Sequence, residues 1–184
     1  MKRLIVFVGA LIVLVPIDIW AIRERIRMEH YESLVWRGAR LSGVPPALIC
    51  AVIETESGWR PDVVSSKGTV GLMQLRPDTA ARIALRYQIG SYSLSDPCDN
   101  ITLGSLYLAG LLKEFQGDVT LALASYNAGP QAVEKWLLRD PQVHSSSLVS
   151  RYACGETRTY VRRALENLDR WRTAFPVPPD TASR

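Results

Sequence analysis

Metal-binding residue types are scarce in this chain of 184 residues, which holds two histidines and three cysteines. His30, His144, Cys50, Cys98 and Cys154 are scattered and no Cys-x-x-Cys occurs, so the spacings of a zinc site are missing and neither a metal nor another cofactor is expected. Charge of one sign is scarce too. Basic residues number 22 and acidic ones 18, a formal net charge of +4, which argues against a dedicated nucleic-acid binder while still favouring an anionic polymer. No segment repeats. Strand-forming sequence is short, and only residues 62–70, with Val63-Val64 and Thr69-Val70, have room for a small hairpin. These absences leave one mainly α domain, large enough to bury a core.

A long hydrophobic run occurs at the N-terminus. Met1-Lys2-Arg3 precedes apolar residues from Leu4 to Ile17, and Ile19-Trp20-Ala21-Ile22 follows Asp18. The stretch approaches the roughly 20 residues of a membrane span. Ile19-Trp20-Ala21 is a poor cleavage site, so residues 1–22 read as an uncleaved anchor helix in preference to a signal peptide. Export and a membrane contact through this segment follow. Residues 23–172 form the domain with its leading helix, and residues 173–184 read as a disordered tail.

Helical periodicity runs through that domain. Ile22 to Leu41 forms a helix that Ser42-Gly43-Val44-Pro45 breaks, and Pro46 suits the first turn of the next, which ends at Glu56 with Gly58 placed to cap it. Pro77-Asp78-Thr79-Ala80 opens another. Asp99 is placed to cap a helix running to Phe115, Asp118 to start one through Ala124, Pro130 to open one through Leu138, and Thr157 to cap a last one.

The most informative stretch is Ala51 to Gln74. Glu56 follows Val52 by four residues and Ile53 by three, so it shares their apolar face. Burial and a helix C-terminus both disfavour the anion and push its pKa upward. A carboxyl still protonated near neutral pH is what general-acid chemistry requires. Glu54, roughly 200° round the helix, is expected to face water. The residues alone leave two readings of Glu56, a general acid or a helix-end carboxylate paired with an arginine.

Six strings then stand in a recognisable order: Glu56-Ser57-Gly58-Trp59-Arg60-Pro61, Ser65-Ser66-Lys67-Gly68, Gly71-Leu72-Met73-Gln74, Pro77-Asp78-Thr79-Ala80, Ser125-Tyr126-Asn127-Ala128-Gly129-Pro130 and Glu156-Thr157-Arg158-Thr159-Tyr160-Val161. From about Tyr31 to Trp171 the chain resembles a soluble-type lytic transglycosylase domain, with its goose-type lysozyme-like fold. Ser125 departs from the pattern, where alanine is common.

The resemblance implies that Glu56 protonates the glycosidic oxygen between N-acetylmuramic acid and N-acetylglucosamine of peptidoglycan. The same group then serves as base on the C6 hydroxyl, giving a 1,6-anhydro product without a second carboxylate. It also implies glycan contacts at Ser65, Gly71, Gln74, Tyr126 and Asn127. Ser57 is a candidate to orient the acid, Glu156 to meet the peptide stem and Tyr160 to reach the site, each with a local packing or capping alternative. Asp62 and Asp78 read as loop and cap residues. Trp36, Trp59, Trp136 and Trp171 read as packing. Cys50 lies in an apolar helix, so the exported setting permits a disulfide between Cys98 and Cys154, both expected in loops before helices. Peptidoglycan strands in the periplasm are the expected partner, with secretion or conjugation machinery a possible further one. A lysozyme-like hydrolase and a non-catalytic wall-binding protein are the rival readings.

Overall fold

The computed structural model describes residues 29–174. The expected anchor helix over residues 1–22 and most of the tail lie outside the described residues. Two compact units divide the chain, residues 1–33 and 34–184. In the first, the described residues are helical and His30 meets Tyr31 edge to face. No helix among the described residues is long and apolar enough to cross a membrane.

Helices dominate the described residues. They are α1 (29–42), α2 (Pro46–Ser57), α3 (Pro77–Arg86), α4 (Pro97–Glu114), α5 (Val119–Ala128), α6 (Pro130–Arg139), α7 (Ser145–Tyr152) and α8 (Gly155–Ala174). The expected hairpin is reduced to isolated antiparallel bridges, Val64 to Val70 and Val70 to Leu75.

Proline and glycine set many of the boundaries. Pro46, Pro77, Pro97 and Pro130 each stand in a first helical turn, where a missing N–H costs nothing. Gly58 closes α2 in the left-handed conformation at φ 57°, its N–H donating to the Glu54 carbonyl at 3.1 Å, as its place in the sequence suggested. Because Pro97 begins α4 early, the cap there is Asp96, which accepts from the Asp99 N–H at 3.0 Å. The expected cap, Asp99, instead accepts from the Ser93 N–H at 2.8 Å. Asp118 caps α5, but that helix continues to Ala128. Tyr126 and Asn127 therefore sit in its last turn, whereas the sequence suggested a turn beyond it. Thr157 lies inside α8, and α7 was not anticipated.

Two helices form the centre. Every residue from Ala47 to Ile53 of α2 and from Leu121 to Ser125 of α5 is buried. Buried all round, they lack the one-sided pattern of a surface helix. Amphipathic α8 packs across both. Its seam with α2 is polar on the side away from Glu56: Asn167 Nδ2 donates to Thr55 Oγ1 at 2.9 Å, Arg170 Nη2 to Glu54 Oε1 at 2.8 Å, and Trp171 Nε1 to Glu54 Oε2 at 2.6 Å. Glu54 thus faces α8 and not water, because the partner helix covers the side the helical wheel left open. Trp171 also meets Trp59 edge to face, with centroids 5.6 Å apart.

Candidate active site

Glu56 projects from the last turn of α2 into a cleft of about 760 Å³. The segment between α2 and α3 lines one side through Ser65, Lys67, Thr69 and Gln74, while the ends of α5 and α8 contribute Tyr126, Asn127 and Glu156. Burial, the largest cause, raises the pKa of Glu56 from the ordinary 4.5 to about 7; the Tyr160 hydroxyl opposes this and the charge of Glu156 adds to it. The ion-paired alternative for Glu56 falls away, since no cation is among these causes and none of the described salt bridges includes it.

Two tyrosines flank the acid. Tyr160, buried on α8, turns its hydroxyl toward the Glu56 carboxyl, close enough to pull on its pKa though outside strict hydrogen-bond geometry. Tyr126 donates to the Met73 carbonyl at 2.8 Å and packs its ring 5.1 Å from that of Tyr107. Burial first, and the nearby charge of Glu56 second, push both hydroxyls well above the ordinary tyrosine range. Both stay protonated and able to donate.

The facing segment is held by its own polar groups. The Ser65 hydroxyl accepts from the N–H of Lys67 and of Thr69. It lies 2.6 Å from Thr69 Oγ1, which lies 2.7 Å from Gln74 Oε1. The Gln74 amide then donates to the carbonyls of Val63 and Gly71 at 2.9 and 2.8 Å. Ser65 and Gln74 line the cleft, yet their polar atoms are largely spent within the wall. Gly71 is not in the cleft lining. It is buried at φ 81°, and a Cβ there would sit 2.3 Å from Asn100 Nδ2. Ser57 is also turned away, its hydroxyl donating to the Ile53 carbonyl at 3.1 Å.

Other residues complete the arrangement. Asn127 Oδ1 accepts from Thr157 Oγ1 at 2.8 Å, tying α5 to α8. Glu156 reaches across to Lys67 Nζ at 2.6 Å, an exposed ion pair between α8 and the facing segment. Buried Asn100 of α4 was missed by sequence reasoning. It accepts from the Met73 N–H at 2.8 Å and donates to the carbonyls of Val70 and Leu94, both at 2.9 Å. Only its distance from the motifs, 27 residues beyond Met73, hid it. Thr69, Arg76, Arg82 and Tyr107 are further lining residues the motifs did not flag, and Asp78 lines the cleft as well as opening α3. None of the lining residues is a tryptophan, and Asp62 is not among them.

Cys98 and Cys154 are free thiols, against the expected disulfide. Cys98 lies in the first turn of α4, which packs on α3 and α5, while Cys154 precedes α8 and meets Thr157 Oγ1 at 3.3 Å. No cluster of three or more histidine, cysteine or acidic side chains suited to a metal occurs among the described residues.

A mainly helical, lysozyme-like domain with one acid of raised pKa in an open polar cleft defines the class. The chain belongs to the transglycosylase SLT domain family, whose model matches residues 34–149. It is 34% identical over 140 residues to the soluble lytic murein transglycosylase of Escherichia coli K12, covering 73% of this chain and 22% of that relative. Membrane-bound lytic murein transglycosylase C of Actinobacillus pleuropneumoniae serotype 5b is 34% identical over 139 residues, 69% of this chain and 38% of that protein. The chain thus spans about a fifth to two fifths of these relatives' lengths. Among solved structures, an inactive mutant of Pseudomonas aeruginosa Slt superposes with a TM-score of 0.76 at 32% identity, over 82% of this chain and 25% of that one. The 70-kDa soluble lytic transglycosylase in complex with bulgecin A gives 0.76 at 31% identity, over 81% of this chain and 25% of that one.

Proposed function

We propose that this domain is a peptidoglycan lytic transglycosylase that cuts the β-1,4 bond between N-acetylmuramic acid and N-acetylglucosamine and leaves a 1,6-anhydro end. The observation that carries this reading is Glu56, a carboxyl with a pKa of about 7 that opens on a cleft large enough for a sugar chain. The names of its relatives, lytic murein transglycosylases, support the same reading.

A group whose pKa matches the ambient pH is half protonated, so near neutrality Glu56 has both forms at hand. Its proton passes to the glycosidic oxygen as the bond from C1 to that oxygen breaks, and the substrate's own 2-acetamido group shares the charge developing at C1. The carboxylate then takes the proton of the C6 hydroxyl while that oxygen bonds to C1. Glu56 ends protonated and no water is consumed. The attack is intramolecular, so its entropy cost is small once the sugar is held. Tyr160 steadies the carboxylate form between the two steps. Tyr126, Asn127, Ser65 and Gln74 meet the glycan, with Gln74 acting mainly through the wall it braces, and Glu156 meets the peptide stem. Ser57 and Gly71 act through backbone placement.

A hydrolytic outcome is the second reading, favoured by Asp78 as a further carboxyl in the cleft. Mass spectrometry of digested wall separates the two. Muropeptides lighter by one water than hydrolysis products are expected, and reducing ends alone would assign the domain to the lysozyme class. The site of action is the periplasm, with the N-terminal segment as anchor in the inner membrane.

A further inference from the structure

Asn127 stands in the last turn of α5, half-buried and lining the main cleft. Its side-chain oxygen is turned toward α8, where it accepts from Thr157 Oγ1 at 2.8 Å. Thr157 is 2% exposed, in the first turn of α8, so its hydroxyl works inside the packed seam, out of reach of a sugar. A threonine hydroxyl has one proton to give. With that proton on Asn127, the 3.3 Å contact between Thr157 Oγ1 and Cys154 Sγ is one in which the thiol donates. Were the amide reversed, its nitrogen would donate to Thr157 and the hydroxyl proton would be left to the Cys154 sulfur, a weak acceptor. The seam therefore fixes the amide with its oxygen engaged, while its nitrogen has no partner among the described residues.

Two N–H donors are thus left for the cleft, where a glycan presents hydroxyls and acetamido carbonyls. A hydroxyl donates as well as accepts, so it fits either end of an amide; a carbonyl oxygen only accepts, and fits the nitrogen end alone. We infer that Thr157 is a positioning residue for the glycan contact: by holding the Asn127 oxygen, it presents the amide nitrogen to an acetamido carbonyl of the sugar chain. This inference rests on the glycan reading of the cleft and adds which group Asn127 takes and which residue aims it.

The test is a double-mutant cycle on soluble glycan strands, with KM and kcat read separately. Thr157→Val keeps the buried shape and removes the hydroxyl. Its KM is expected to rise about fivefold, the scale of one hydrogen bond, with kcat near wild type because the contact is made before and during bond breaking alike. Thr157→Ser keeps the hydroxyl and should return KM to within about twofold of wild type. In an Asn127→Ala background Thr157→Val should raise KM no further, as expected of two residues acting as one unit. An equal rise in both backgrounds, or none in either, overturns the role. Asn127→Asp reads the same contact without touching Thr157: it still accepts from that hydroxyl but offers the cleft no donor, so KM should again rise about fivefold or more, and a wild-type KM overturns the inference. The acetamido assignment is read from binding. On strands freed of acetyl groups by a deacetylase, Kd should be insensitive to Thr157→Val, and a retained loss overturns that assignment. Should wild type release no anhydro ends, the lytic reading fails by itself. The same cycle is then read as Kd for the intact strands by calorimetry, where non-additivity supports the role of Thr157 and additivity or absent binding overturns it.

Discussion

The two sides of the cleft are built from opposite materials. On the side of α2 and α8, apolar packing surrounds the acid; on the facing side, residues 61–70 include no buried residue and are held by a relay through Ser65, Thr69 and Gln74. Burial is what a general acid needs, because desolvation moves a carboxyl toward neutral pH. A wall that presents backbone to a sugar needs shape, and a satisfied hydrogen-bond network supplies it at low apolar content. The chemistry therefore depends on packing on one side and on polar geometry on the other.

Breaking the apolar side at its acid should have the largest effect. Glu56→Gln keeps the shape but cannot deliver a proton, so clearing of a peptidoglycan suspension is expected to slow by about 10²–10⁴-fold. The same variant should gain stability, in a direction fixed by the pKa. Its folded value of about 7 lies above the ordinary 4.5, so wild-type stability is full below pH 4.5 and is lost as the pH rises through 7. Above that pH, Glu56→Gln should be more stable by up to roughly 3 kcal/mol, with no gain below pH 4.5. Urea midpoints at pH 4 and pH 8 check this, and an equal gain at both would remove burial as the cause.

The polar side breaks differently. Gly71→Ala forces a left-handed φ on alanine and drives its Cβ into the Asn100 side chain, for an expected loss of about 2–4 kcal/mol. Urea unfolding measures it, and a loss confined to activity would mean that Gly71 acts on substrate and not on the wall. The smallest effect is reserved for the strap between the two sides. Lys67 and Glu156 are both well exposed, and such pairs add little. Lys67→Ala should leave the thermal midpoint unmoved while the unneutralised Glu156 shifts the alkaline limb of the pH–rate profile slightly upward. A downward shift would contradict the place of Glu156 beside the acid.

The contrast also explains what the sequence disclosed. The helical class and the raised pKa of Glu56 were legible because both follow from a local pattern, the spacing of Val52, Ile53 and Glu56. Glu54 was not, since the wheel of one helix cannot reveal that Arg170 and Trp171 lie over its far side. Gln74 read as a sugar ligand through the family resemblance; only the fold shows its amide engaged by Val63, Gly71 and Thr69. Asn100 carries no motif and became visible through contacts made across 27 and 30 residues.

The hold of α8 on Glu54 has a consequence for the order in which the domain is made. Arg170 and Trp171 lie 116 and 117 residues after the carboxylate they grip, so this contact is among the last that a growing chain can form. Non-local contacts of this kind wait on loop closure, and chains extend from the N-terminus during synthesis. Until α8 arrives, α2 lacks its cover, and Glu56 lacks Tyr160 and Glu156, the two neighbouring side chains that act on its pKa. The surroundings of Glu56 are thus completed late, when α8 closes on α2.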